Sequence, residues 1–205
     1  MEDKVVNVIG AGLAGCECAY ILSKHGYKVN LYEMKPKCFS PAHTSNNFAE
    51  LVCSNSLKSE ELTNACGLLK WEMNEMGSII IEAALNNRVK AGAALAVDRD
   101  KFSEYITKKI KSEENISIIN EEVTDVTNMK GIVVIATGPL TSDKLSSNIA
   151  SIIGDEKLYF YDAAAPIVLA SSIDMNIAYA KDRWVEDRPG DYLNLPMTKE
   201  EYDVF

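Results

Sequence analysis

No stretch of this chain reaches the roughly 18 uninterrupted apolar residues that a membrane helix needs, so nothing in it reads as a span. The opening "MEDKVVNV" carries acids where a secretory leader would carry only positive charge, and it runs straight into an apolar strand. A cytoplasmic protein with no membrane partner is the expectation. Histidine is scarce, at two residues, and the five cysteines are odd in number and irregular in spacing. That argues against a disulfide framework and for reduced thiols. Cys16 and Cys18 form a C-x-C on a predicted helix, where residues two apart face different ways, so no metal site is expected. Positive charge is also short. A net charge of −9 argues against generic polyanion binding, and any RNA contact would need a local basic patch.

What is present is ordinary globular material: 205 residues, 47% hydrophobic and 25% charged, enough for a sizeable core without staples. The length suits one large domain, or one domain and part of a second. No repeat or low-complexity run divides it. "KVVNVI" (4–9) reads as a buried strand, 13–25 as a helix closed by Gly26, and "KVNLYE" (28–33) as a second, parallel strand. Together they make one βαβ unit. Residues 34–57 follow neither period, and long ordered loops are disproportionately functional. Helical spacing runs from 62 to 87, with Gly67 and Gly77 as candidate breaks. A short strand (93–97), an amphipathic helix (98–114) and three strands (116–120, 122–126 and 131–138) complete the first part. Beyond Pro139 the texture changes. The expected fold is α/β: one domain built on this parallel unit over 1–140, then the start of a second α/β domain over 141–205.

Gly10, Gly12 and Gly15 follow a strand and open a helix, the context that makes a G-x-G-x-x-G pattern meaningful. Gly10 permits the tight turn, Gly12 lets a pyrophosphate approach the backbone, and Gly15 lets the helix pack on the sheet. The phosphates would bind the free N–H groups at the helix start. Glu33 ends the second strand, where a carboxylate accepts hydrogen bonds from an adenosine ribose. This pattern does not choose between FAD and NAD. "IVVIATG" ends in Ala136-Thr137-Gly138, a pattern seen where flavoproteins pass close to FAD, and it favours FAD. The domain over 1–140 is therefore expected to be a Rossmann-like FAD-binding domain of the two-dinucleotide-binding flavoprotein kind, with Gly10, Ala11, Gly12, Leu13, Ala14, Gly15, Glu33, Val123, Thr137 and Gly138 as its cofactor-binding residues.

"FAELVCSNSLKSEELTNA" places Cys53 at the end of the long loop. A thiol can serve as nucleophile or base once its pKa is lowered. Beside Leu51 and Val52 a lone cysteine is more often a small buried hydrophobe, and Cys16, Cys18, Cys38 and Cys66 take that structural reading more firmly. His43, in the same loop, could bind phosphate or a polar substrate, or stand as an ordinary exposed histidine.

"VNVIGAGLAG", "PAHTSNNFAELVCSNSL", "GAALAVDR", "VIATGPLTS", "FYDAAAPIV", "SIDMN" and "YLNLPMT" occur in that order along nearly the whole chain. Together they closely resemble the N-terminal part of the TrmFO family, the folate- and FAD-dependent tRNA (uracil-5-)-methyltransferases, which are related to GidA. The glycine pattern is widely shared; "FAELVCSNSL" followed by "DAAAPIV" is far more specific. The resemblance implies transfer of a one-carbon unit from methylenetetrahydrofolate, by way of reduced FAD, to C5 of a T-loop uridine in tRNA. NADH or NADPH would supply electrons. The family uses two cysteines for covalent and proton-transfer work; Cys53 matches the first, and the second would lie beyond Phe205. The isolated chain is therefore expected to bind FAD weakly or not at all and to be inactive alone.

Three departures from the family pattern stand out: His43-Thr44-Ser45-Asn46, Gly92-Ala93-Ala94 and Leu195. The first weighs against a role for His43; the second and third read as tolerated packing changes or as marks of a paralogue acting on another RNA, such as ribosomal RNA. Between Arg88 and Lys111 there are seven Lys/Arg and three acids. This reads as a solvated helix face with dipole-matched lysines, or as an RNA contact with Arg88, Lys90 and Arg99 on phosphates. A flavin- or NAD-linked oxidoreductase and a non-catalytic nucleotide-binding module remain the rival classes.

Overall fold

The computed structural model describes residues 5–154, 168–182 and 190–204. Most of "FYDAAAPIV" and the start of the polar stretch after Trp184 lie outside the described residues.

The element carrying the glycine turn forms as its pattern dictates. Strand β1 (Val5–Ile9) is apolar at all but one position, Asn7, which is buried yet satisfied. Its amide donates to the Lys130 carbonyl at 2.9 Å and accepts from Asn30 at 2.9 Å. Helix α1 (Leu13–Lys24) buries Gly15, Cys16, Ala19, Tyr20 and Ser23, one stripe at helical spacing. It ends in a left-handed Gly26, whose N–H donates to Ser23 while Tyr27 N–H donates to Leu22. That pairing satisfies the last carbonyls of the helix. Strand β2 (Lys28–Tyr32) then returns parallel to β1.

Strands β3 (Ser56–Ser59), β4 (Arg88–Val89) and β5 (Ala94–Val97) form a separate three-stranded antiparallel sheet in the order β3–β5–β4. The strand expected over 93–97 is thus present, but outside the parallel sheet. Between β3 and β4 the helical stretch divides into α2 (Ala65–Glu75) and α3 (Ile79–Asn86). The break falls at Gly77, which is left-handed, and not at Gly67. Gly67 sits inside α2 against the preceding turn, where an added Cβ would come within 2.0 Å of the Glu61 carbonyl oxygen.

Helix α4 (Arg99–Lys111) buries Phe102, Ser103, Ile106, Thr107 and Ile110 against the core. Strands β6 (Ile116–Ile119) and β7 (Ile132–Ile135) complete the parallel sheet, in the order β6–β2–β1–β7. In chain order these strands run 3-2-1-4, the arrangement of a Rossmann half. No strand forms over 122–126, contrary to expectation. The cause lies in the local hydrogen bonds. Val126 N–H donates to the Asn148 side chain and Thr127 N–H to Asp125, so side chains take the groups a ladder would use.

After β7 come a short 3₁₀ turn (Gly138–Leu140) and helix α5 (Asp143–Ile153). A second 3₁₀ turn (Ala170–Ser172), a two-stranded hairpin of β8 (Tyr179–Ala180) and β9 (Leu193–Asn194), and helix α6 (Lys199–Val204) follow. Among the described residues, no helix is long and apolar enough to cross a membrane.

Candidate functional site

In an open parallel sheet, ligands bind beyond the carboxyl ends of the strands, where the strand order reverses. Here that point lies between β1 and β7. A cavity of about 330 Å³ opens there, bordered by Ile9 and the glycine turn on one side and by Ala136 to Gly138 on the other. Of the ten residues expected to bind a cofactor, nine border it: Gly10, Ala11, Gly12, Leu13, Ala14, Glu33, Val123, Thr137 and Gly138. Gly15 does not. It lies beneath the turn, where an added Cβ would fall 1.8 Å from the Gly10 carbonyl oxygen. Gly10 itself is left-handed, at φ +94°, and faces the Ala136 carbonyl of β7. At Gly12, by contrast, an added Cβ would meet no protein atom within 4 Å. Two glycines hold the turn together and the third leaves its outer side open.

The helix starting there, like α5 after Ser142, lacks a side-chain cap, and unlike α5 it carries no acid in its first turn. Helices α2, α3 and α4 are each capped by a side chain, from Asn64, Ser78 and Asp98. Helix α1 begins at Gly12 with no side-chain cap and no acid in its first turn. Its first N–H groups, at Leu13 and Ala14, border the cavity, and such groups together with the helix dipole favour an anion.

Glu33 is buried, 7% exposed, just past β2. One carboxylate oxygen accepts the Ala11 N–H at 3.0 Å and the other the Lys35 N–H at 3.0 Å. Each oxygen keeps a lone pair for a further donor. Lys35 is more buried still, at 4%, and its ammonium donates to the Asn47 carbonyl and to Glu50. Glu50 also accepts the backbone N–H groups of Thr44 and Ser45. Partial burial pushes its carboxyl up, but those two N–H bonds and the Lys35 ammonium outweigh this and hold it below the usual glutamate range. His43 borders the same cavity, with Nδ1 2.6 Å from Ser40 Oγ. Burial, helped by Lys35, holds its imidazole below the ordinary histidine value. A shift in that direction favours the neutral form of the ring.

The cysteines divide by burial. Cys16 is wholly enclosed, and its thiol donates to the Ala11 carbonyl at 3.3 Å. Burial pushes that thiol well above its ordinary range, which makes it inert. Cys18 and Cys66 are half-buried. Cys38 is exposed, contrary to its reading as a buried hydrophobe, because it follows the turn closed by its own N–H to Met34. Cys53 is exposed as well. Val52, the residue before it, borders the cavity at the strand ends, while Cys53 borders a wider, open hollow of about 520 Å³ shared with Asn55, Val89 and Arg99. Adjacent residues thus face two different spaces. Among the described residues no three His, Cys, Asp or Glu side chains gather as metal ligands would.

Of the basic residues, Arg88 pairs with Glu60, and Lys101, Lys108 and Lys109 pair with Asp98, Glu104 and Glu82. Lys90 and Arg99 have no ion-pair partner among the described residues. Lys35, Glu50, Glu121 and Glu122 border the cavity without having been singled out from the sequence. Lys35 and Glu50 lie in the aperiodic loop and Glu121 and Glu122 at the junction of two expected strands, where no spacing marks them.

A parallel sheet of this order, with a glycine turn, an uncapped helix and a buried acid at its switch point, defines a dinucleotide-binding domain of the Rossmann type. The chain belongs to the family described as Glucose inhibited division protein A, which it matches over residues 5–205. It is 60% identical over 205 residues to the methylenetetrahydrofolate–tRNA-(uracil-5-)-methyltransferase TrmFO of Fusobacterium nucleatum subsp. nucleatum, covering 100% of this chain and 46% of that protein. To the protein of the same name from Lactobacillus delbrueckii subsp. bulgaricus it is 58% identical, with the same coverage of 100% and 46%. The chain thus spans about half the length of the curated relatives it matches. Its fold is similar to a crystal structure of Aquifex aeolicus GidA, with a TM-score of 0.52 and 21% identity over 67% of this chain and 25% of that one. The expected Rossmann-like α/β class and the TrmFO- and GidA-related ancestry both stand.

Proposed function

We propose that this chain carries the FAD site and one reactive cysteine of a folate-dependent tRNA uracil-5-methyltransferase. The observation that carries the reading is the single cavity where an uncapped helix, a glycine cradle and a buried acid meet, one residue from Cys53. The pyrophosphate would lie on the N–H groups of Leu13 and Ala14, passing Gly12 where no side chain stands in its way. Glu33 would accept the adenosine ribose hydroxyls on its remaining lone pairs. Val123, Thr137 and Gly138 would form the rest of the wall. Bound FAD supplies the redox chemistry and the carriage of a one-carbon unit.

The part of Cys53 follows from uracil chemistry. C5 of uracil becomes nucleophilic when a thiolate adds to C6, and the C5 proton must later leave to a base. Cys53 serves one of those two steps. Its exposure on an open hollow lets a base reach it, and Arg99 on the same rim would take a backbone phosphate, with Arg88 and Lys90 nearby in sequence. Methylenetetrahydrofolate is the one-carbon donor, NADH or NADPH the electron source, and the setting cytoplasmic. The division near residue 140 is part of this reading, although Thr141, Ser142 and Leu145 still border the cavity.

The test is transfer of label from the methylene group of the folate by the complete protein, with reduced nicotinamide and either tRNA or ribosomal RNA. Label in 5-methyluridine of tRNA supports the reading. Label in ribosomal RNA alone moves the substrate, and nicotinamide oxidation without folate dependence makes the protein an oxidoreductase. Adenine-dinucleotide binding without turnover would leave only a nucleotide-binding module.

A further inference from the structure

The hydrogen bonds beside the cavity close into a circuit that joins three separated segments. Ala11 N–H donates to Glu33, and Glu33 also accepts the N–H of Lys35. The Lys35 side chain reaches the Asn47 carbonyl and Glu50. Two residues from Asn47, Ala49 N–H donates to the Ala11 carbonyl at 2.8 Å, which returns to the start. The circuit therefore ties the glycine turn, the end of β2 and the 47–50 segment together.

Several features show that this is more than loop fastening. A buried ammonium is costly unless its partners are in place, and Lys35 is 4% exposed with two of them. Glu50 gathers Thr44 and Ser45 as well as Lys35, so it shapes the whole 44–50 bend. Ala49 is held at φ +51°, a left-handed conformation that a residue with a Cβ adopts only when its surroundings fix it. Its anchor is the Ala11 carbonyl, in the turn that borders the cavity. Phe48 N–H is pinned to Thr107 of α4 at 2.8 Å. Three residues past Ala49 comes Val52 on the cavity wall, then Cys53.

We propose that Lys35 and Glu50 are positioning residues, a buried clasp through which occupancy of the dinucleotide cavity sets the placement of Cys53. The proposal rests on the dinucleotide reading given above. A ligand that draws on Glu33 and on the glycine turn touches two members of the circuit. Displacement of either reaches Ala49 by two routes, through its own bond to Ala11 and through Lys35 to Asn47 and Glu50. Because Ala11, Glu33, Lys35 and Ala49 are buried and packed, with Asn47 and Glu50 partly buried beside them, they move as a unit.

The experiment uses the complete protein, freed of any bound flavin, with ADP as the probe. ADP affinity is measured by calorimetric titration, and the rate of Cys53 alkylation by iodoacetamide is followed by peptide mass spectrometry with and without saturating ADP. In the unaltered protein ADP is expected to change the Cys53 rate about fivefold or more, the lower end of ordinary site-to-site coupling. In Lys35→Met and Glu50→Gln, each saturated with ADP as judged by its own titration, that ratio should fall to about one. Lys35→Arg, which keeps the charge and the donors, should restore it, and it keeps the test open if Lys35→Met does not fold. A merely structural pair would lower thermal stability in the variants and leave the ratio intact; that result overturns the proposal. So does ADP binding to the unaltered protein with no change at Cys53. Failure of ADP to bind at all refutes the dinucleotide reading instead, and the titration shows this by itself.

Discussion

Replacing Gly12 by alanine separates the needs of the fold from those of the ligand. The residue has φ −73° and ψ −169°, an ordinary extended conformation, and its new Cβ would meet no protein atom within 4 Å. The protein itself should therefore tolerate the change. Alanine is a poorer N-cap than glycine, which costs a few tenths to about 1 kcal/mol. The ligand should not tolerate it. A methyl group on the face where a pyrophosphate must touch the backbone acts like overpacking of a close contact, about 1–3 kcal/mol. That corresponds to a roughly 5- to 150-fold rise in Kd for ADP. Gly15→Ala should reverse the pattern. Its Cβ would lie 1.8 Å from the Gly10 oxygen, so the helix must move off the turn, at about 1–3 kcal/mol or more of stability. Urea denaturation and calorimetric titration of the two variants read both quantities. Gly12→Ala binding ADP within twofold of the unaltered protein, or losing as much stability as Gly15→Ala, would refute the reasoning.

Further outcomes follow from the same geometry. Brief alkylation at pH 8 should label Cys38 and Cys53 and leave Cys16 unmodified, since burial both encloses its thiol and raises its pKa; peptide mass spectrometry checks this. The Glu50 carboxyl is depressed in the folded state, so its stabilising contribution is present above the unfolded value of about 4.5 and is lost as pH falls through the lower folded value. Denaturation between pH 3 and 7 should show this acid-side loss, and Glu50→Gln should flatten it. Phe102→Ala removes a ring with no solvent exposure from the core face of α4, and should cost about 3–5 kcal/mol by urea denaturation.

The parts of the site written in local sequence were legible. Gly10, Gly12, Gly15 and Glu33 lie within one βαβ unit, so period and spacing alone bring them to the end of β1. Thr137 and Gly138 were legible for a similar reason, at the end of an apolar strand that had to join the same sheet. Lys35 and Glu50 were not. Their pairing depends on how an aperiodic loop folds back on the glycine turn, and no spacing encodes that. The 122–126 segment shows the opposite failure: its β-branched residues suited a strand, but the Asn148 side chain takes the Val126 N–H and Asp125 turns back onto Thr127 just beyond it. The antiparallel sheet went partly unread because β3 is short, and its register with β5 shifts between Ser56 and Ser59. Cys53 was found through the words around it, and its exposure on a hollow separate from the cavity came only from the fold.

The measurement that bears most directly on the account compares Cys53→Ala with the unaltered complete protein at matched flavin content. Labelled methylenetetrahydrofolate, reduced nicotinamide and tRNA are supplied to both. Whether Cys53 adds to C6 or takes the C5 proton, its loss should lower label transfer by about 10²–10⁴-fold while the flavin content per chain stays the same. Transfer by Cys53→Ala at the unaltered rate would contradict the account.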